Sequence, residues 1–247
     1  MAEVKAHMTG AALSWRQFKA ILRKDIVMEL RTKEMLTSMG LYTLLTMVIY
    51  QVALSQTGSA FNVRLIAAGL LWLAFVFTSM LGLNRSLVHE KDQGVLDALL
   101  LSPIDRPIIF FAKAVGNFVF LMVVEIISLP VFWFLFLSGG GPASVPIFTT
   151  LWQLLFALVL GSIGIAGVGT LLATMSVNTT GKDFVLALLF IPLMYPLLLP
   201  AVSSSSAAIL GGMGATQQFW QGIGIMAGYD VLMLLAAYAL YEFIIGA

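Results

Sequence analysis

The sequence predicts an all-α integral membrane protein with six transmembrane helices, an amphipathic interfacial helix before them and a short cytoplasmic helix between the second and third. Three observations lead to this fold class. Of the 247 residues, 60% are hydrophobic and only 10% are charged, whereas about a quarter of an ordinary soluble domain is charged. The apolar residues form six long runs, and the basic residues collect on one side of them.

A helix needs roughly 20 apolar residues to cross the hydrocarbon core of a bilayer. Six runs reach this length, at 35–56, 65–84, 114–138, 147–177, 184–202 and 222–241. Residues 1–34 form a mixed polar segment without the pattern of a cleaved signal peptide, so we expect the first run to remain as an anchor. Residues 35–247 then form one six-helix membrane domain.

The lysines and arginines predict the orientation of these spans, because cytoplasmic loops carry an excess of both. Twelve of the 13 basic residues lie in residues 1–34, in the loop 85–113 or at Lys182, and Arg64 alone lies on the other side. We therefore expect both termini and the loop 85–113 to face the cytoplasm.

An amphipathic helix is predicted within residues 14–31. The apolar positions that recur at three- and four-residue steps are Trp15, Phe18, Leu22, Ile26 and Leu30. Basic residues occupy much of the remaining surface. A helix of this kind lies in the headgroup plane with its apolar side towards the hydrocarbon.

Two acidic residues lie inside the predicted spans, Glu125 in the third and Asp230 in the sixth. An ionised carboxylate at the bilayer centre costs at least about 2.5 kcal/mol on insertion scales. Each must therefore be protonated, paired, or turned towards water or another subunit. Two interpretations stay open for both: contact with a substrate or subunit, or a polar bond that fixes helix packing.

Glycine and proline mark special positions in the fourth and fifth spans. Gly161, Gly164 and Gly167 recur at three-residue steps, and such small residues let helices approach closely, either within the chain or between subunits. The fifth span contains Pro192, Pro196 and Pro200. Since each proline removes a backbone donor and clashes with the preceding turn, this span is predicted to be kinked or broken.

The segment 203–221 is rich in serine and glycine and ends near Phe219 and Trp220. Two interpretations are open, a partly inserted helix and turn or a flexible loop.

Several chemistries are excluded by residue content. Cys is absent, so the chain has no disulfide, thiolate metal site or thiol catalysis. His7 and His89 cannot by themselves build a multi-His metal site. The chain contains no G-x-x-x-x-G-K-[ST] sequence, so it does not bind ATP phosphates by that motif. We expect no catalytic residue and no nucleic-acid partner.

Residues 89–107 interrupt the apolar sequence with a charged stretch that predicts a helix of two or three turns. Glu90, Lys91 and Asp92 suit its N-terminus, where carboxylates meet the positive end of the helix dipole. The apolar face that follows consists of Val95, Leu96, Leu99 and Leu100, with Asp97 away from its centre.

The end of this short helix is predicted at Ser102-Pro103, because the residue before a proline avoids the helical region. Asp105 is then predicted to cap the third span, with Pro107 in its first turn. A helix this short is marginal alone in water, so its apolar face suits a groove in a partner protein.

At this point the chain resembles a known family. The stretch NRSLVHEKDQGVLDALLLSPIDRPIIFFAKAVGNFVFL, residues 84–121, is similar to the first cytoplasmic loop of type-2 ABC transporter permeases, in which an acidic-basic-Gly stretch leads into a Leu-rich coupling helix. Within that group the chain most resembles the haem exporter protein B family of cytochrome c maturation. The shared pattern is DQGVLDALLLSP at 92–103, supported by WRQFKAILRKDIVMELRTKEML at 15–36.

The resemblance implies a permease subunit of an ATP-driven complex in a bacterial inner membrane, which moves haem or drives release of a haem-loaded chaperone. ATP would be hydrolysed by a separate ATPase chain that binds the coupling helix in a groove. The coupling residues it implies are Glu90, Asp92, Gly94, Leu96, Asp97, Leu99, Leu100, Ser102 and Pro103. The interfacial helix would brace the same contact.

The resemblance also implies the partners. Haem enters as a substrate, ATP belongs to the ATPase, and we expect no cofactor bound tightly by this chain. The membrane partner is either another subunit of the haem-maturation complex or a second copy. Two alternatives remain: the same architecture exporting a drug, lipid or glycan, and a scaffold that assembles membrane complexes without turnover.

Overall fold

The computed structural model describes residues 10–56, 62–92, 104–138, 147–176 and 182–246. Side chains are described for 13–56, 62–83, 104–138, 147–176 and 184–240. Every regular element within these ranges is a helix, which confirms the all-α prediction.

Seven α-helices follow one another along the described chain. They are α1 Gly10–Thr32, α2 Glu34–Ser55, α3 Arg64–Asp92, α4 Arg106–Phe132, α5 Ile147–Ser176, α6 Lys182–Leu210 and α7 Ala215–Gly246. A π-helical turn, Trp133–Leu137, extends α4. Lys33, in the left-handed conformation with φ 54°, separates α1 from α2.

The six helices from α2 to α7 are each long and apolar enough to cross a membrane, which confirms the six predicted spans. Four of them are longer than the apolar runs that predicted them: α3 ends at 92, α4 begins at 106, α6 ends at 210 and α7 begins at 215. The reason is that polar residues end an apolar run without ending a helix, whereas the left-handed glycines after α6 do end it.

The centre of the bundle is α5, which packs against α3, α4, α6 and α7. Its predicted glycine stripe makes close contacts within the chain. The side chains that face it are Trp72 at Gly161, Asp230 and Leu197 at Gly164, and Leu234 at Gly167. At all three glycines an added methyl group would overlap a side chain of another helix, so the small residues allow the helices to approach. The intramolecular use of the stripe is therefore observed.

Replacing Gly161 by alanine is expected to destabilise the bundle. The new methyl group would overlap the Trp72 ring, which is almost fully buried and is held by a hydrogen bond of 2.9 Å from its Nε1 to Ser205 Oγ. Overpacking of this kind costs about 1–3 kcal/mol, so the thermal unfolding midpoint in detergent should fall.

The matched controls for this variant are Gly40→Ala and Gly69→Ala, in α2 and α3. A methyl group at either position meets no atom within 4 Å, and alanine favours a helix over glycine by about 1 kcal/mol. Their unfolding midpoints should stay level or rise. Equal losses in all three variants would contradict the packing assigned to Gly161.

The fifth span is one continuous helix, because α6 runs through its three prolines without interruption. The predicted alternative of a broken span is therefore wrong. Backbone carbonyls around these prolines accept extra hydrogen bonds: Tyr229 Oη donates to the Leu193 carbonyl at 2.6 Å, and Ser204 Oγ donates to the Pro200 carbonyl at 2.7 Å.

The segment 203–221 contains the last turns of α6, a short turn and the first turns of α7. The helix-and-turn interpretation is confirmed in its secondary structure, and the flexible loop is wrong. Gly211, Gly212 and Gly214 make the turn with φ of 63°, 99° and 82°, values that glycine adopts without steric cost. Across the turn, Gln218 Nε2 donates to Ser203 Oγ at 3.0 Å.

Candidate functional site

The interfacial helix α1 packs against α4 at the end of the bundle that we call the basic end, which holds α1 and the start of α4. Ile21 is buried in this contact, and Phe18 and Ile26 are partly buried. Trp15 and Leu30 were predicted on the same apolar face, but they are 57% and 58% exposed. The bundle covers only the middle of this apolar face of α1, so the two ends of the face remain available to lipid or a partner.

A buried ion pair ties α1 to α4. Lys113 Nζ lies 2.8 Å from Asp25 Oδ2, and the side chains of Lys113 and Asp25 are only 3% and 11% exposed. The second carboxylate oxygen of Asp25 lies 3.0 Å from Lys24 Nζ, which is more exposed. Because a buried charge without a partner is costly, this pair holds α1 in one position on α4.

A second apolar cluster lies at the basic end, separate from the main core. Its buried members are Ile21, Ile109, Phe110, Ala112, Ala114, Leu171 and Ala237. They come from α1, α4, α5 and α7, so the start of α4 is packed into the bundle and does not extend from it as a loose loop.

A groove of about 560 Å³ opens at this end. It is lined by Ser14 of α1, residues 104–108, Phe111 of α4 and Tyr238 of α7. Asp105 occupies the predicted N-cap position of α4, with a proline in the first turn as predicted, but its side chain makes no capping hydrogen bond.

The predicted start of the coupling helix is wrong in its first three residues. Glu90, Lys91 and Asp92 belong to the last turn of α3 and do not open a new helix. No glycine or proline occurs between Asn84 and Gln93, and Gly94 is the first residue that favours a break. For this reason α3 continues beyond its apolar part.

Gly94, Leu96, Asp97, Leu99, Leu100, Ser102 and Pro103, the remaining predicted coupling residues, lie outside the described residues. The described chain leaves α3 at Asp92 and resumes at Ile104, just before α4. The segment that resembles a coupling helix therefore connects the second and third spans directly.

Glu125 lies in the interface between α4 and α5 and is 1% exposed. Ser162 Oγ of α5 donates a hydrogen bond of 2.6 Å to Glu125 Oε1. Glu125 Oε2 is buried without a hydrogen-bond partner among the described residues. The carboxyl group is thus part of a helix contact that leaves one oxygen unsatisfied.

Replacing Ser162 by alanine removes the hydrogen bond to Glu125 and leaves both carboxyl oxygens without this donor. Leaving a buried polar group unsatisfied costs about 1–3 kcal/mol, so the unfolding midpoint should fall. Ser128→Ala is the matched control, because buried Ser128 donates only to the Val124 carbonyl of its own helix at 2.7 Å. An equal loss in both variants would contradict a specific role for the bond between Ser162 and Glu125.

Asp230 of α7 is 5% exposed and fills the space that Gly164 leaves on α5. Its Oδ1 is also buried without a hydrogen-bond partner among the described residues. Both predicted intramembrane acids therefore contact the central helix. Neither acid takes part in the ion pairs of Asp25 with Lys24 and Lys113.

Three further polar contacts inside the bundle were not predicted. They are Thr43 with Thr78 at 2.7 Å, Asn117 Nδ2 with Thr170 Oγ1 at 2.9 Å, and Trp72 Nε1 with Ser205 Oγ at 2.9 Å. A signal for such pairs exists in the sequence, since polar residues at matching depths of neighbouring spans tend to bond across helices. The depths become comparable only once the spans and their neighbours are known.

At the opposite end of the bundle, Arg64 stabilises the end of the π-helical turn. Its guanidinium Nη2 donates to the Leu137 carbonyl at 2.7 Å. This carbonyl is one of the acceptors that a helix leaves unpaired at its C-terminus.

The described residues contain no group of three or more His, Asp or Glu side chains that could hold a metal ion. The polar side chains described within the bundle instead form pairs at separate helix contacts, as Thr43 does with Thr78 and Asn117 with Thr170.

These features define a polytopic α-helical membrane protein, built on a buried central helix and joined between its second and third spans by a charged loop. Residues 16–244 match the family described as CcmB protein. The chain belongs to this family, because the match covers almost its whole length.

Several relatives carry the name Heme exporter protein B. The chain is 30% identical to the one from Rhodobacter capsulatus over 134 residues, which make up 54% of this chain and 58% of the relative. It is 25% identical to the one from Pseudomonas aeruginosa over 156 residues, or 63% and 66% of the two chains. For Bradyrhizobium diazoefficiens the identity is 26% over 194 residues, 78% of this chain and 83% of the relative. The matched part thus spans less than two thirds of the first two relatives.

Proposed function

We propose that this chain is the membrane permease subunit of an ATP-driven complex in cytochrome c maturation, which moves haem or drives release of a haem-loaded chaperone. The observation that carries the proposal is membership of the CcmB family over residues 16–244. The relatives named Heme exporter protein B support haem as the substrate.

The ATPase in this proposal is a separate chain that binds the loop 85–113. Leu96, Leu99 and Leu100 enter a groove of the ATPase, as an amphipathic helix does in a partner protein. Glu90, Asp92 and Asp97 set the orientation of the contact through charge pairing, which contributes specificity more than affinity.

The packing at the basic end supports a path by which a movement of the loop 85–113 reaches the helix bundle. The loop continues directly into α4, and α4 carries α1 with it through the ion pair of Lys113 and Asp25. Trp15 and Leu30 of α1 are exposed and are available to brace the ATPase. Rigid helices joined to a moving loop transmit its displacement to the far end of a bundle.

We place the protein in a bacterial inner membrane with both termini in the cytoplasm. This orientation rests on the basic residues of residues 1–34 and of the loop 85–113, which follow the positive-inside rule. Other subunits of the haem-maturation complex, or a second copy of this chain, complete the membrane part.

The proposal is tested in a strain that lacks the gene for this chain. We expect covalent c-type cytochromes to be lost while b-type cytochromes remain, and the full chain to restore them. A tagged chain should co-purify with an ATP-binding protein, and a hydrolysis-dead form of that protein should fail to restore cytochrome c. Normal c-type cytochromes in the deletion strain would contradict the proposal, and normal assembly with the inactive ATPase would favour a scaffold.

The orientation is tested by cysteine labelling, which is direct because the chain has no Cys of its own. A cysteine introduced at Val95 should react with a membrane-impermeant maleimide only after the cell membrane is opened. A cysteine at Met213, in the turn between α6 and α7 and fully exposed, should react in intact spheroplasts. The reverse pattern would exclude contact between the loop and a cytoplasmic ATPase.

A further inference from the structure

The two buried acids contact the central helix at one depth. Glu125 meets α5 at Ser162, and Asp230 meets it at Gly164. Two positions along an α-helix correspond to a rise of about 3 Å and a rotation of about 200°. The two carboxyl groups therefore lie on opposite sides of α5, at nearly the same level.

This level is the midpoint of α4 between its two cation contacts. On α4, Glu125 lies between Lys113, which pairs with Asp25, and Leu137, whose carbonyl binds Arg64. Each of these positions is about 18 Å from Glu125 along the helix. The two cations thus lie about 36 Å apart along the helix, slightly more than the thickness of a hydrocarbon core, roughly 30 Å. We infer that the two acids lie near the middle of the membrane.

Two cations described on the helices around the two acids are engaged elsewhere. Lys113 of α4 binds Asp25 of α1, and Arg64 of α3 binds a backbone carbonyl at the opposite end. The central helix α5 has no titratable side chain. The other titratable side chains described on the packed helices are Glu34, Tyr42 and Tyr50 of α2, Arg106 at the start of α4, Tyr195 of α6, and Tyr229 and Tyr238 of α7. Tyr229 donates to the Leu193 carbonyl.

Neither carboxyl group has enough partners to remain ionised there. Glu125 accepts one hydrogen bond from Ser162, and one oxygen of each acid is buried without a partner among the described residues. An ionised carboxylate at mid-membrane costs at least about 2.5 kcal/mol on insertion scales and about 10 kcal/mol or more in simulations, whereas one hydrogen bond to a charged group contributes about 1.5–3 kcal/mol. A bound proton removes the charge.

We propose that Glu125 and Asp230 each bind a proton in this conformation and form a pair of neutral carboxylic acids on the two sides of α5. A movement of helices that lets water reach either group breaks its O–H bond. The proton then passes to that water and the carboxylate stays on its helix. When the bundle closes, the carboxylate binds a proton again. The closed state therefore depends on these protons, whichever substrate the protein carries.

The test is infrared spectroscopy of the purified full chain in lipid nanodiscs at neutral pH. We expect carbonyl-stretch bands of protonated carboxylic acids that shift in heavy water. Glu125→Gln should remove one band and Asp230→Asn another, whereas Asp105→Asn, at an exposed N-cap position, should leave both. Spectra of the unsubstituted protein without such bands would overturn the proposal even if the variants fail to fold.

A second measurement uses the pH dependence of stability. Because the closed bundle binds protons that the unfolded chain releases, raising the pH from mildly acidic to alkaline should lower the unfolding midpoint. The double variant Glu125→Gln, Asp230→Asn should lose much of this slope, whereas Asp105→Asn should retain it. An unchanged slope in the double variant would overturn the proposal. Neither measurement needs the ATPase or haem, so this inference fails or stands separately from the proposed function.

Discussion

A chain that carries Leu96→Asp together with Leu99→Asp is expected to lose its ATPase partner and to leave cytochrome c unassembled. In our proposal both leucines enter an apolar groove, and burying one leucine side chain contributes about 1.5–3 kcal/mol. Losing both contacts, with two carboxylates to desolvate, should weaken association at least about 100-fold, since 1.4 kcal/mol is tenfold. Co-purification of the ATPase and the amount of covalent c-type cytochrome measure this.

The matched control is the variant with methionine at both positions. Methionine keeps the volume and apolar character of leucine, and such exchanges usually cost less than about 1.5 kcal/mol. We expect it to retain the ATPase and most of the cytochrome c. The aspartate variant should still insert and unfold at the normal temperature, because its substitutions lie outside the helices α1 to α7. Intact association and assembly in the aspartate variant would exclude this helix as the coupling element.

The largest loss of stability is expected from Asp25→Ala. It leaves the ammonium of Lys113 buried without its carboxylate, and breaking a buried pair from one side costs about 3–5 kcal/mol. The double variant Asp25→Leu, Lys113→Met replaces both charges by apolar groups and should regain most of the stability. Unfolding midpoints of Asp25→Leu, Lys113→Met and the double variant measure this non-additivity.

The control for Asp25→Ala removes the other partner of the same carboxylate. Lys24 is about one third exposed, and exposed pairs contribute about 0–1 kcal/mol. Lys24→Met should therefore change the midpoint little. If Asp25→Ala and Lys24→Met had equal effects, the pair of Asp25 and Lys113 would not be what holds α1 on α4.

The six spans could be predicted because a bilayer imposes a minimum apolar length on each helix, and this length can be read directly from the sequence. Their ends could not, since helices such as α6 continue through Ser203–Ser206 until the glycines of the following turn. The same limit misplaced Glu90 and its neighbours. A charged stretch looks like the start of a new helix, but no residue before Gly94 interrupts α3.

The candidate sites show a similar division. Glu125 and Asp230 stand out in sequence because acids are rare inside spans, and the glycine stripe stands out by its spacing. Their partners depend on which helices are neighbours, so Ser162 and Trp72 were not foreseen. Lys113 looked like the border of a loop, and Asp25 was one charge among many. Only the packing of α1 on α4 brings these two residues together.

Trp72 fills the space at Gly161 and Leu83 fills the space at Gly169, and these contacts limit how α5 can move against α3. A slide of α5 along its axis would push the indole ring out of the space at Gly161 and towards larger side chains on the same face, such as Leu158 and Ile165. The glycines of α5 also lock it to α7 through Asp230 and Leu234. The glycines of α5 thus fix the register of α3, α5 and α7 against one another, whereas α4 meets α5 through the polar contacts of Glu125 and Asn117.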